Sequence, residues 1–184
     1  MAKKVLILLA NGFEEIEAVT IIDVLRRAEL NVTVAGVSGN WVTGAHGLKV
    51  ETDIELSKFK EVPDAVVLPG GMPGSQNLAD SSMVAEIVKK VYSQKKVVGA
   101  ICAAPALALS KHGVLEGKRA TCYPGFEKNF PASVKVSKDR VVIDENVITS
   151  QGPGSAMEFA LELVKQLQSP QVSAQLKEGL LAKV

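Results

Sequence analysis

Apolar residues along the chain fall into two patterns, short unbroken runs and stripes at helical spacing, and the two alternate. Residues 5–10 (VLILLA) are an unbroken run of strand length, closed by Asn11 and Gly12 and followed by a helical pattern from about 14 to 30. Residues 31–37 (NVTVAGV) read as a second strand, which completes a βαβ opening. Between 41 and 50, β-prone pieces alternate with glycine and predict a hairpin excursion, a natural place for dimer contacts.

The alternation then resumes. A buried-type strand at 64–68 is closed by PGGMPG and followed by a helix at 82–93; a strand at 97–101 leads into a helix from 103 to about 112. A short strand is predicted at 119–122, a pair of late strands at 141–143 and 146–150, a helix from about 155, and a last helical segment at 170–183 with proline in its first turn. This spacing predicts an α/β fold, a three-layer sandwich in which a mostly parallel sheet carries helices on both faces. In such sheets binding sites gather at the carboxyl ends of the strands. No repeat or linker interrupts the pattern, so residues 1–184 read as one domain.

Composition narrows the function classes. The 21 basic and 20 acidic side chains nearly cancel and the pI is 7.7, which argues against nucleic acid as the main partner. The 47% hydrophobic content supplies a substantial core without disulfides, so Cys102 and Cys122 read as free thiols in a reducing compartment. The first apolar run is too short for a signal-peptide core of about 7–15 residues, and nothing approaches the ~18 apolar residues of a membrane span. A soluble cytoplasmic protein without a membrane partner is expected.

Cys102 lies where VVGAI ends and the alanine-rich AAPALAL begins, with Pro105 in the first turn of the predicted helix. Alanine two before and two after it gives the small neighbours that a sharp strand-to-helix turn carrying a nucleophile needs, as glycines do in G-x-S-x-G. Unpaired helix amides beneath the sulfur would favour thiolate and lower its pKa. Cysteine is also among the most buried residue types, so on position alone a core role stands beside the nucleophilic one.

In the loop LPGGMPG, Gly71 could donate an N–H to an oxyanion alongside an amide from Ala103, although an ordinary βα turn explains the glycines equally. QGPGS at 151–155 reads as a tight turn and N-cap. Glu17 shares a helical stripe with Ile21, Val24 and Ala28, and Glu14 one with Ala18, Ile21 and Leu25, so periodicity does not separate them. A carboxyl on a buried stripe would have a raised pKa and could serve as a general acid and base. His112, before Gly113, reads as a helix C-cap residue, His46 as exposed or interfacial, and no metal-ligand spacing occurs.

Taken together, NGFEEIEAV, VVLPGGMPGSQNL, GAICAAPALAL and ITSQGPGSAMEFAL resemble the ThiJ/PfpI superfamily over nearly the whole chain, and within it the Parkinsonism-associated deglycase (DJ-one) branch. The resemblance implies a flavodoxin-like sandwich, a homodimer, no cofactor, and a reactive cysteine at the nucleophile turn. Carried over, that cysteine is Cys102, the protonated carboxyl beside it is Glu17, and the backbone donors are Gly71 and Ala103. It also implies glutathione-independent glyoxalase action on methylglyoxal or glyoxal, or deglycation of early adducts on amines and thiols. The alternative is an oxidative-stress sensor and chaperone working through oxidation of Cys102 to sulfinate.

Two departures bear on mechanism. Some members carry histidine near the cysteine where this chain has Tyr123, which leaves Glu17 as the base. The protease-like branch has histidine directly after the cysteine where this chain has Ala103, which disfavours peptidase activity. His46 stands where some relatives have arginine and is a candidate to reach across a dimer. Flavin binding is disfavoured, since 4% aromatic content leaves few stacking residues.

Overall fold

The computed structural model describes residues 2–184. Its centre is a seven-stranded sheet in the order β10-β11-β7-β6-β1-β2-β5. The members are β1 (Lys4–Leu9), β2 (Asn31–Gly36), β5 (Ile54–Glu55), β6 (Ala65–Leu68), β7 (Val97–Ile101), β10 (Val141–Asp144) and β11 (Val147–Ser150). All neighbours pair in parallel except the β10–β11 hairpin. Two small ladders lie outside the sheet. β3 (Trp41–Thr43) pairs antiparallel with β4 (Lys49–Glu51), and β8 (Arg119–Ala120) pairs with β9 (Lys135–Val136).

Both faces of the sheet are covered, which is why β1 is apolar at consecutive positions rather than at alternate ones. Val5, Ile7 and Leu9 enter one core, with α1 (Glu15–Arg27), α4 (Ala156–Leu167) and α5 (Pro170–Gly179) above it. Leu6, Leu8 and Ala10 enter the other, beneath α2 (Gly74–Asp80), α3 (Ser82–Ser93) and the helical segment 104–111 that follows β7. That segment carries Pro105 in its first turn and contains a π-turn at Pro105–Leu109, where Ser110 Oγ donates to the Pro105 carbonyl. The flavodoxin-like α/β sandwich predicted above is thus present.

Strand order places the site. From β1 the chain adds β2 and β5 on one side, then returns to lay β6, β7 and β11 on the other. The β1/β6 boundary is therefore a topological switch point, where loops leaving neighbouring strands diverge and open a crevice at their carboxyl ends.

The structure departs from the sequence reading in detail. β8 ends at Ala120 and leaves buried Cys122 beyond it, and α5 stops at Gly179. His112 does stand at its helix end, where Gly113 takes φ 74 and the Gly113 and Val114 N–H groups donate to the Ser110 and Leu109 carbonyls, but its ring is buried, meets the Leu78 backbone and leaves Nε2 without a partner, while burial lowers its pKa. Both cysteines are free. Among the described residues no helix is long and apolar enough to cross a membrane.

Fully buried Phe159 of α4 fills the space above Gly99 of β7, where an added Cβ would come within 3.1 Å of the ring. Phe159→Ala should cost about 3–5 kcal/mol, read in urea unfolding as a lower midpoint at unchanged slope.

Candidate active site

Three strand ends meet at the switch point. The chain leaving β1 turns into α1, whose third residue, Glu17, is completely buried. The loop leaving β6 brings Gly70 against it, and the Gly70 N–H donates to Glu17 Oε2 at 2.7 Å. In return the Gly70 carbonyl accepts the Glu14 N–H at 2.9 Å, so the start of α1 and the β6 loop are stitched together. A side chain cannot stand at position 70: its Cβ would lie 2.4 Å from Cys102 Cβ and 2.7 Å from Glu17 Oε2. Gly71 follows with φ 91, and a Cβ there would meet Glu14 N and Gly12 O at 2.4 Å.

Cys102, directly after β7, has φ 64, the left-handed region that residues with a Cβ rarely enter. Such a conformation costs about 1–3 kcal/mol and persists only where the surroundings enforce it. Here both backbone groups are tied: Cys102 N–H donates to Ser150 O of β11 at 3.0 Å, and its carbonyl accepts Tyr123 N–H at 2.8 Å. The sharp turn turns the sulfur away from the strand axis toward Glu17, with the Gly71 and Ala103 amides near enough to work against the rise of its pKa. All four residues singled out in the sequence therefore converge on one point.

The whole chain carries this pattern. A family model described as the DJ-1/PfpI family matches residues 3–166. The chain belongs to the DJ-1/PfpI family. A curated relative from Arabidopsis thaliana, Protein DJ-1 homolog B, is 46% identical over 90% of this chain, which spans 38% of that protein. The Glutathione-independent glyoxalase DJR-1.2 of Caenorhabditis elegans is 40% identical, with 97% of this chain and 96% of that one covered. The solved structure of oxidized Toxoplasma gondii DJ-1 superimposes with a TM-score of 0.96 at 40% identity, covering both chains completely.

Within this DJ-1/PfpI member, burial dominates the electrostatics. It raises Glu17 to about 7, against the opposing Gly70 hydrogen bond and the contact with Cys102, and Glu14 adds to the rise. Burial first, and the Glu17 charge next, push the Cys102 thiol up to about 12 despite the two amides. The helix-end argument predicted a lowered thiol pKa. It is correct about the amides, but desolvation and a neighbouring carboxylate outweigh them. The pair titrates as a unit: below about 7 Glu17 is a carboxylic acid beside the thiol and above it a carboxylate, and from the carboxylate form a proton moving from sulfur to Glu17 gives thiolate beside a carboxylic acid.

Sequence reasoning missed Gly70, because a Gly-Gly pair does not reveal which member the carboxyl needs. It also missed the seat of His46. The hairpin loop is clamped on α1 by Glu15, whose Oε1 accepts His46 N–H at 2.7 Å and whose Oε2 lies 2.9 Å from His46 Nδ1. The DJ-1/PfpI member thus has an ion-paired rim of Glu14, Glu15 and His46 next to the buried pair.

The Glu17 shift has a consequence for folding. Between its ordinary 4.5 and about 7, the folded chain keeps a proton that the unfolded chain releases. Stability is therefore greatest below this window and falls as pH rises through it, by about 3 kcal/mol in total. Glu17→Gln should remove that fall, so that the variant gains on the parent between pH 5 and pH 8 in paired denaturation curves. Parallel curves for the two proteins would contradict it.

Proposed function

We propose that the protein is a cysteine-dependent, glutathione-independent glyoxalase that converts methylglyoxal or glyoxal to the corresponding hydroxy acid and releases early glycation adducts by the same chemistry. The observation that carries this reading is the buried carboxyl–thiol pair with two amides near the sulfur. The name of the Caenorhabditis elegans relative supports it.

The chemistry follows from the pair. Glu17 accepts the thiol proton as Cys102 sulfur bonds to the aldehyde carbon, and the carbonyl electrons move to oxygen, one bond from the Gly71 and Ala103 donors. Protonation of that oxygen by Glu17 gives a hemithioacetal. Glu17 then takes the hydrogen from the former aldehyde carbon and returns it to the neighbouring carbon through an enediol, leaving a hydroxyacyl thioester. Water cleaves the thioester, giving lactate from methylglyoxal and restoring the thiol. The sum is one dicarbonyl plus one water, with no external oxidant or reductant. A group near 7 suits both halves of this shuttle, since it gives up and regains a proton at ambient pH.

The same reading includes a homodimer through α1 and the hairpin, where Ile16, Val19 and Leu48 are exposed apolar residues. A second reading, a redox sensor in which Cys102 takes up two oxygens, is favoured by one observation: the Toxoplasma gondii relative was solved oxidized. In that case Glu17 would hydrogen-bond the sulfinate.

Purified protein should form lactate from methylglyoxal without glutathione, with kcat/KM rising through pH 7 as Glu17 ionises. Cys102→Ser and Glu17→Gln should each lower it at least 100-fold, in the range of a lost nucleophile or acid–base group. Undiminished turnover by either variant would overturn the mechanism. Negligible turnover by the parent, together with stoichiometric addition of two oxygens to Cys102 by mild peroxide in intact-mass spectra, would favour the sensor.

A further inference from the structure

His46 sits on the tip of the hairpin, outside the pair assigned above, yet one of the two carboxylates it meets, Glu14, acts on that pair. Its Nδ1 is 2.9 Å from Glu15 Oε2 and 3.6 Å from Glu14 Oε2. Those two carboxylates are sheltered, with side chains only 12% and 13% exposed, while the imidazole itself is 73% exposed. Glu14 is the N-cap residue of α1, three positions before Glu17, and its charge adds to the rise of the Glu17 pKa. It is also bound through its N–H to the carbonyl of Gly70, the residue whose own N–H holds Glu17. The order in space is His46, Glu14, Glu17, Cys102: a cation, an anion, the acid–base carboxyl and the thiol.

We propose that His46 is a positioning residue for the Cys102–Glu17 pair, its imidazolium offsetting the Glu14 charge and so governing which protonation state Glu17 holds. The inference rests on the acid–base reading of Glu17 given above. The groups that meet Glu17 are Glu14 on its own helix, the Cys102 thiol after β7 and the Gly70 amide after β6. Those that meet His46 are Glu14 and Glu15.

The direction follows from charge alone. A carboxylate beside Glu17 favours its protonated form; a cation paired with that carboxylate weakens the effect. Protonated His46 therefore keeps Glu17 easier to ionise, and its loss of a proton makes Glu17 harder to ionise. Glu15 holds His46 in its charged form, and its hydrogen bond, with the Glu14 charge, raises the pKa of the imidazole. Because proton loss from His46 opposes proton loss from Glu17, the hairpin would spread the response of the site over a wider span of pH. The clamp that places His46 does not depend on its ring, because the backbone N–H groups of His46 and Leu48 both donate to Glu15 Oε1.

The test is a carboxyl carbon-13 titration of Glu17, assigned by its loss in Glu17→Gln, in the parent, His46→Gln and His46→Arg. His46→Gln should move the Glu17 midpoint up by roughly half a pH unit, the scale of one partly screened neighbouring charge. His46→Arg, with a charge that does not titrate, should return it to or below the parent value. An unchanged midpoint in His46→Gln, or equal shifts in both variants, would overturn the proposal, the second pointing to altered packing instead of charge. Turnover of methylglyoxal across pH, measured on the same proteins, separates this idea from the one beneath it. Midpoints that move as expected while Glu17→Gln stays fully active would leave His46 coupled to Glu17 and remove the acid–base role.

Discussion

One contact organises this molecule: a fully buried carboxyl group, Glu17, held against a buried thiol by a single backbone amide. Removing a carboxyl from water is costly unless it is neutralised or well bonded, and here only one oxygen has a conventional partner. Around this group the fold makes concessions. Position 70 gives up its side chain, position 71 takes a positive φ, and Cys102 is bent into a region that residues with a Cβ avoid. None of these improves packing locally. Together they bring a proton donor and a sulfur to one place that neither would occupy for stability alone.

The sheet supplies the rigidity that makes the concessions possible. Glu17, Gly70 and Cys102 follow β1, β6 and β7, adjacent parallel strands fixed by continuous backbone ladders. β11 adds the fourth anchor through the Ser150 carbonyl, and the segment before Phe126 adds the fifth through Tyr123. The strained turn is thereby held by bonds from two directions, and its conformation depends on pieces of chain about 20 and 50 residues away in sequence.

Much of the scaffold was readable from pattern, and the reason is local. β7 and α3 occur at Val97–Ile101 and Ser82–Ser93, where an unbroken run and a helical stripe put them, because buried parallel strands and amphipathic helices write their burial into the sequence. The helix Gly74–Asp80 was not readable: it is short and glycine-rich at its start, and it is positioned by the Gly71 carbonyl and by burial of Leu78. β5 and β9 have two residues each, too few for any period. At the site, motif order singled out Cys102, Glu17, Gly71 and Ala103. What the sequence left undetermined was whether Glu14 or Glu17 reaches the interior, and tertiary packing decides it: both are sheltered, but only Glu17 is sealed off and touches the thiol. The rise of the thiol pKa was equally invisible, since it comes from desolvation by neighbours remote in sequence.

The shortness of β5 has a meaning for the molecule in a crowded solution. An open sheet ends in two rows of unpaired amides and carbonyls, and long, flat edges of that kind recruit strands from other chains. Here one edge is stepped: β5 covers only Ala35 and Gly36 of β2 and passes at once into a 3₁₀ turn, so no long straight strand is presented. At the opposite edge β10 runs antiparallel to its neighbour and ends in Asp144, whose carboxylate accepts the Arg119 N–H of the small outer ladder. A sheet this rich in valine, isoleucine and leucine is thereby kept from extending itself, and resistance to aggregation is built in at its two margins.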